Sequence, residues 1–175
     1  MTRYAAFLRG VNLGKRTVKS AELKLAFEAL GYTNVKTLLA SGNVLFDARP
    51  SKSVQQKIET GLEEKFGFRI RVVLRSLDEL RAMVAADPYG GVTESEAQKL
   101  HVLLFAEPIA PGVTIAGVKG DFDVPRISER EVHLIAYRKP DGTYLASSLL
   151  DMDRKITKGQ LVTARNWNTI LKAIA

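Results

Sequence analysis

Apolar positions first gather at Tyr4-Ala5-Ala6-Phe7-Leu8, a short run that predicts a buried strand. Leu23, Phe27 and Leu30 then recur at i, i+4 and i+7, with Leu25 and Ala26 beside them, which is the spacing of an amphipathic helix. Ser20 suits its N-cap and Gly31 its stop. Val35-Lys36-Thr37-Leu38-Leu39 and Asn43-Val44-Leu45-Phe46-Asp47 flank Ala40-Ser41-Gly42 and predict a hairpin. A second helix is expected from Pro50-Ser51 to Phe66-Gly67, with Val54, Ile58 and Leu62 inward. Phe68 to Leu74 closes the series as another strand.

This order, β-α-β-β-α-β over about 75 residues, is the ferredoxin-like plait arrangement. One face of such a sheet is covered by the two helices, and the other stays open unless something else covers it. Leu77, Leu80, Arg81 and Val84 predict a further helix from Ser76, ending before Asp87-Pro88-Tyr89-Gly90-Gly91. That glycine- and proline-bearing stretch is the expected boundary between residues 1–86, a ferredoxin-like half, and residues 87–175, a second, smaller α/β part.

In the second part, Leu100–Phe105 is the clearest strand. Phe122–Ile127 and Val132–Tyr137 predict a hairpin around Ser128-Glu129-Arg130-Glu131. Val113–Val118 fits either a helix or a strand. Leu145, Leu149, Leu150 and Met152 suggest a helix. A final helix is expected from Trp167, with Trp167, Ile170, Leu171 and Ile174 inward. The fold class is therefore α+β.

Composition narrows the chemistry. The absence of cysteine removes disulfides, thiolate nucleophiles and Cys-ligated zinc. No apolar run approaches a membrane span, and Met1-Thr2-Arg3-Tyr4 lacks the regions of a signal peptide, so a cytoplasmic protein with no membrane partner is expected. The net charge of +7 is unevenly spread. Residues 1–86 carry 15 basic and 8 acidic side chains, whereas residues 87–175 carry 11 of each. The final acid is Asp153, followed by Arg154, Lys155, Lys158, Arg165 and Lys172. Basic ends of this kind suit an acidic partner.

The candidate site begins at Leu8-Arg9-Gly10-Val11-Asn12-Leu13-Gly14-Lys15-Arg16-Thr17-Val18-Lys19, which links the first strand to the first helix. Glycines permit positive φ and close approach, and basic side chains around such a turn can hold an anion. The spacing is neither a Walker A loop nor G-x-G-x-x-G, and no cofactor is expected. Ser41-Gly42-Asn43 suits turn chemistry. Thr163-Ala164-Arg165-Asn166-Trp167-Asn168-Thr169 concentrates an arginine, two amides, two hydroxyls and the single tryptophan. Either Trp167 anchors the last helix while Asn166 or Thr163 caps it, or Arg165, Asn166 and Asn168 complete a polar site with the Arg9–Lys19 loop. His101 and His133 fall on expected strands, where pairing could bring them together. Asp121 and Asp123 are one strand step apart. Asp151 and Asp153 would be likewise in an extended stretch.

Three of these stretches, Leu8–Gly14, Leu39–Phe46 and Thr163–Thr169, taken in this order and at this chain length, resemble the bacterial family called domain of unknown function 1697. Lys15 departs from the pattern, which has a second glycine there in many members. The resemblance implies a small cytoplasmic protein with an N-terminal α/β plait and a second α/β part. It implies no known activity and carries over no catalytic residue.

The expected function is binding of an anionic ligand, a nucleotide or a nucleic acid. Arg9, Lys15, Arg16 and Arg165 would supply charge, and Asn12, Asn43 and Asn168 directional hydrogen bonds. The alternatives are an enzyme acting on a phosphorylated small molecule, with Asp121 or Asp123 holding Mg²⁺, and an interaction module that forms a homodimer through an open sheet or an edge strand.

Overall fold

The computed structural model describes residues 1–11, 16–39, 42–145 and 159–175. It is a mixed α+β structure with two four-stranded antiparallel sheets and, among the described residues, four helices. The chain divides into two compact units, Met1–Ala82 with Lys172–Ala175, and Met83–Leu171.

In the first unit, β1 (Thr2–Arg9), α1 (Ser20–Ala29), β2 (Thr33–Thr37), β3 (Asn43–Ala48), α2 (Val54–Phe66) and β4 (Arg71–Ser76) follow in order. The strands lie as β2-β3-β1-β4. Leu23, Ala26 and Phe27 of α1 and Val54, Ile58 and Leu62 of α2 are buried in one cluster with Ala6, Leu8, Val44, Phe46 and Val72. Both helices therefore pack on the same sheet face, as the period of their apolar residues requires. Gly67 caps α2 in the left-handed conformation at φ 80°.

The opposite face of this sheet is not open. Ala5, Phe7, Leu45, Val73 and Arg75 lie on it and are all buried, Arg75 at 1% exposure. This is the covered case of the two that the helix arrangement leaves open. α1 also differs in detail: Lys19 holds the N-cap position, with no side-chain cap, and Ser20 is already helical. α3 (Leu77–Ala85) begins with a reciprocal cap. The Ser76 N–H donates to Glu79 Oε2 at 2.7 Å, and the Glu79 N–H donates to Ser76 Oγ at 3.1 Å.

The second unit holds β5 (Gln98–Phe105), β6 (Phe122–Ile127), β7 (Glu131–Tyr137) and β8 (Val162–Asn166), ordered β6-β7-β5-β8. The β6–β7 hairpin stands where the alternation predicted it. Its core gathers Leu103, Phe105, Phe122, Val132, Leu134 and Val162 on one sheet face. Strand β8 was not expected, because the polar run Thr163-Ala164-Arg165-Asn166 hides its alternation. Val113–Val118 forms no strand or helix beyond a single bridge from Val118 to Phe122. The helix expected around Leu149, Leu150 and Met152 lies outside the described residues.

The last helix, α4 (Trp167–Ile174), buries Trp167, Ile170 and Ala173. Leu171, expected inward, is 40% exposed, because the buried stripe advances by three residues at each step. No helix among the described residues is long and apolar enough to cross a membrane.

Candidate functional site

The end of β1 meets the starts of β3 and β4 at one edge of the first unit. The Leu8 N–H donates to the Gly42 carbonyl at 2.9 Å, which ties the first strand to the hairpin turn. Gly42 has φ 68°, and a β-carbon there would lie 3.0 Å from Val11 Cγ2 and 3.1 Å from Leu8 Cβ. Glycine thus supplies both the left-handed turn and the close approach. Gly10, at φ 86°, turns the chain out of β1, and its Cα side faces the Arg69 carbonyl, 3.5 Å from where a β-carbon would sit. Two of the motifs singled out in the sequence are therefore neighbours.

Basic side chains collect around this junction. Arg9 is exposed and is the Cα partner of Arg71 across the β1–β4 ladder. Arg71 donates through Nε to Glu59 Oε1 at 3.2 Å. The same Glu59 oxygen accepts the Val72 N–H at 2.9 Å and Gln55 Nε2 at 3.2 Å. Arg16 is exposed and lies over the Phe68 ring, its guanidinium carbon 5.7 Å from the centroid. Phe68 is half-buried, packs against the first core and neighbours Phe66 at a centroid distance of 6.5 Å. Phe68, Arg69 and Arg71 were missed as site residues. Only the pairing of β4 with β1 sets Arg71 opposite Arg9 and brings the Arg69 carbonyl to Gly10.

The other expected site residues have different surroundings. Asn12 and Lys15 lie outside the described residues, as does Ser41. Asn43 is turned inward at 4% exposure, and its Nδ2 donates to the Leu38 carbonyl at 3.1 Å, which braces the hairpin. Arg165 and Asn168 belong to the second unit. Arg165 is half-buried and donates to Thr163 Oγ1 at 2.6 Å and to the Ala164 carbonyl at 2.8 Å. Burial lowers its pKa to about 10. Asn168 is exposed, and its backbone N–H donates to Asn166 Oδ1 at 2.8 Å, so Asn166 caps α4.

The two histidines do not form a pair. His101 stands opposite Leu134, and Val102 opposite His133, so the imidazoles point to opposite faces of the sheet. His133 is 1% exposed and packs edge-on against Tyr89 and Trp167, at centroid distances of 5.5 and 5.8 Å. Neither of its ring nitrogens makes a hydrogen bond of ordinary geometry among the described residues. Burial depresses its pKa to about 4 and also lowers that of His101. Asp121 faces Lys139 at 3.4 Å, and Asp123 accepts the Tyr137 hydroxyl at 2.6 Å. Asp151 and Asp153 lie outside the described residues. No cluster of three or more metal-ligating His, Cys, Asp or Glu side chains occurs among the described residues.

Residues 1–131 match the family model described as "Protein of unknown function (DUF1697)". The chain belongs to the DUF1697 family. Both glycines of the junction, Gly10 and Gly42, lie inside the matched region, and the Arg165–Thr169 segment lies beyond it. The fold is similar to that of a conserved bacterial protein, SP0830, from Streptococcus pneumoniae, with a TM-score of 0.74 and 23% identity over 98% of this chain and 96% of that one. No curated protein matches the chain.

Proposed function

We propose that the protein binds a phosphate-bearing anion, a nucleotide or a nucleic acid, at the basic junction of its first unit. The observation that carries this reading is the packing of Leu8, Gly10 and Val11, at the end of β1, against Gly42 and Arg69, with Arg9 set opposite Arg71 and Arg16 on Phe68. Two guanidinium groups at paired strand positions concentrate positive charge where an anion can be held. Arg9 and Arg16, with Lys15 and Asn12 in the intervening segment, supply the charge and the directional donors. Arg165, Asn168 and Asn43 are secondary in this reading, since Arg165 and Asn43 already spend donors within the protein.

The same reading takes residues 1–86 as a ferredoxin-like plait, supported by the strand order β2-β3-β1-β4 and by two helices on one face. Residues 87–175 form the second α/β part, and the setting is cytoplasmic. The Mg²⁺-dependent alternative draws less support, because Asp121 and Asp123 already engage Lys139 and Tyr137. A homodimer through an open sheet face draws less support for a similar reason, since both faces of the first sheet carry buried side chains.

The test is thermal unfolding against nucleotides, sugar phosphates, RNA and DNA at two salt concentrations. A ligand at a hundredfold excess over its Kd stabilises by about 2.7 kcal/mol. The double variant Arg9→Glu, Arg16→Glu should remove the shift while still unfolding cooperatively. An undiminished shift in that variant would sink the reading.

A further inference from the structure

We infer that the ligand at this junction is single-stranded nucleic acid, with an unpaired base stacked against the Arg16–Phe68 pair. The inference rests on the anion-binding reading above and adds the aromatic element. Phe68 is held in place by the first core on its inner side, and Arg16 lies over its ring. A guanidinium on an aromatic ring is a stacking platform, because its planar face accepts a base while its edge donates to phosphate. Arg9 and Arg71 are paired on the adjoining strands and add positive charge at the same end of the unit, where a strand carries phosphates on either side of that base. Arg71 gives Nε to Glu59 and retains further N–H donors on its guanidinium fork.

The geometry disfavours a duplex. Paired bases have their faces stacked inside the helix, and groove reading needs a helix or ribbon that enters the groove. Among the described residues this end of the unit holds strand ends, turns and the termini of α1 and α2. Nor does the platform resemble stacking on an exposed sheet face, since Phe7, Leu45 and Val73 of the face away from the helices are buried. The basic excess of residues 1–86, 15 against 8, suits a chain of phosphates better than a single one.

The experiment is fluorescence anisotropy with the full chain and a labelled oligo-dT of about ten nucleotides, at about 50 and about 200 mM salt. The competitors are an abasic oligonucleotide of the same length, the matching duplex, thymidine monophosphate and tripolyphosphate. Stacking predicts that the oligo-dT binds on the order of tenfold more tightly than the abasic strand, and that Phe68→Leu removes the difference. The abasic comparison needs no variant, so it decides the matter even if Phe68→Leu unfolds. Equal binding of abasic strand and oligo-dT would overturn the inference and leave anion binding standing. Preference for the duplex or for the mononucleotide would overturn it likewise. Oligo-dT binding that survives Arg9→Glu, Arg16→Glu, or no binding of any of these anions, would overturn both readings.

Discussion

Arg9 and Arg71 are Cα partners in the antiparallel ladder of β1 and β4, so both side chains start from the same face of the sheet, and that of Arg71 turns to Glu59. Like charges in this position cost on the order of 0.2–1 kcal/mol. Such a cost is tolerated where it serves a ligand. Because Glu59 offsets the Arg71 charge, Arg9→Gln should change stability by less than about 0.5 kcal/mol, as for an ordinary surface substitution. It should also weaken anion binding and flatten its salt dependence by about one phosphate contact. Urea unfolding and a salt titration of binding check the two halves.

Glu59 restrains Arg71 and covers the Val72 N–H on an outer strand of the sheet. Removing it does two opposite things. Glu59→Ala leaves the Val72 N–H without its carboxylate, at a cost of about 1–3 kcal/mol. The same change releases Arg71 and raises the local positive potential, so anion affinity should increase. A variant that is less stable yet binds more tightly would separate this account from a merely structural one. Weaker binding in a folded Glu59→Ala protein would contradict it.

Gly42 and Gly67 both have positive φ, at 68° and 80°, but only Gly42 is crowded. Gly67→Ala should cost about 1 kcal/mol, the conformational penalty alone. Gly42→Ala must also push Val11 and Leu8 aside, and should cost about 1–2 kcal/mol more. It should disturb anion binding too, because Val11 leads into the basic loop. Denaturant midpoints for the two variants give the comparison.

His133 makes stability depend on pH. Its folded pKa, about 4, lies below the ordinary value of 6.5 because burial beside Tyr89 and Trp167 disfavours the charged ring. The Glu131 charge opposes this shift and the Arg126 charge reinforces it. The unfolded chain therefore binds the extra proton first. The contribution is whole above pH 6.5 and is lost as the pH falls toward 4, up to about 3 kcal/mol at 1.36 kcal/mol per unit. His101, also depressed by burial, adds in the same direction. His133→Phe should flatten the stability profile between pH 6.5 and 4. An unchanged slope would show that His133 does not carry it.

Much of the fold was readable because helix and hairpin signals are local. Val54, Ile58 and Leu62 recur every four residues and are the buried residues of α2. Phe122–Ile127 was placed to the residue by its alternation and its turn. Strand β8 escaped because hydrogen bonding to β5, and not apolar periodicity, makes Thr163-Ala164-Arg165 a strand. The junction was half legible. Gly10, Gly42, Arg9 and Arg16 stood out by residue type, while Phe68, Arg69, Arg71 and Glu59 passed as ordinary strand and helix positions.

By itself the sequence determined the kinds and order of the elements of the first unit, the apolar stripes of the helices, the excess of basic charge near the start and the glycine turns. Each of these follows from residues a few positions apart, through backbone preference and side-chain period. Tertiary structure alone decided that Arg9 faces Arg71, that Asn43 turns inward to Leu38, that His101 and His133 point to opposite faces, and that the second face of the first sheet is buried. Those relations depend on strand register and on what covers a sheet, and a slip of one residue in register would reverse every one of the faces.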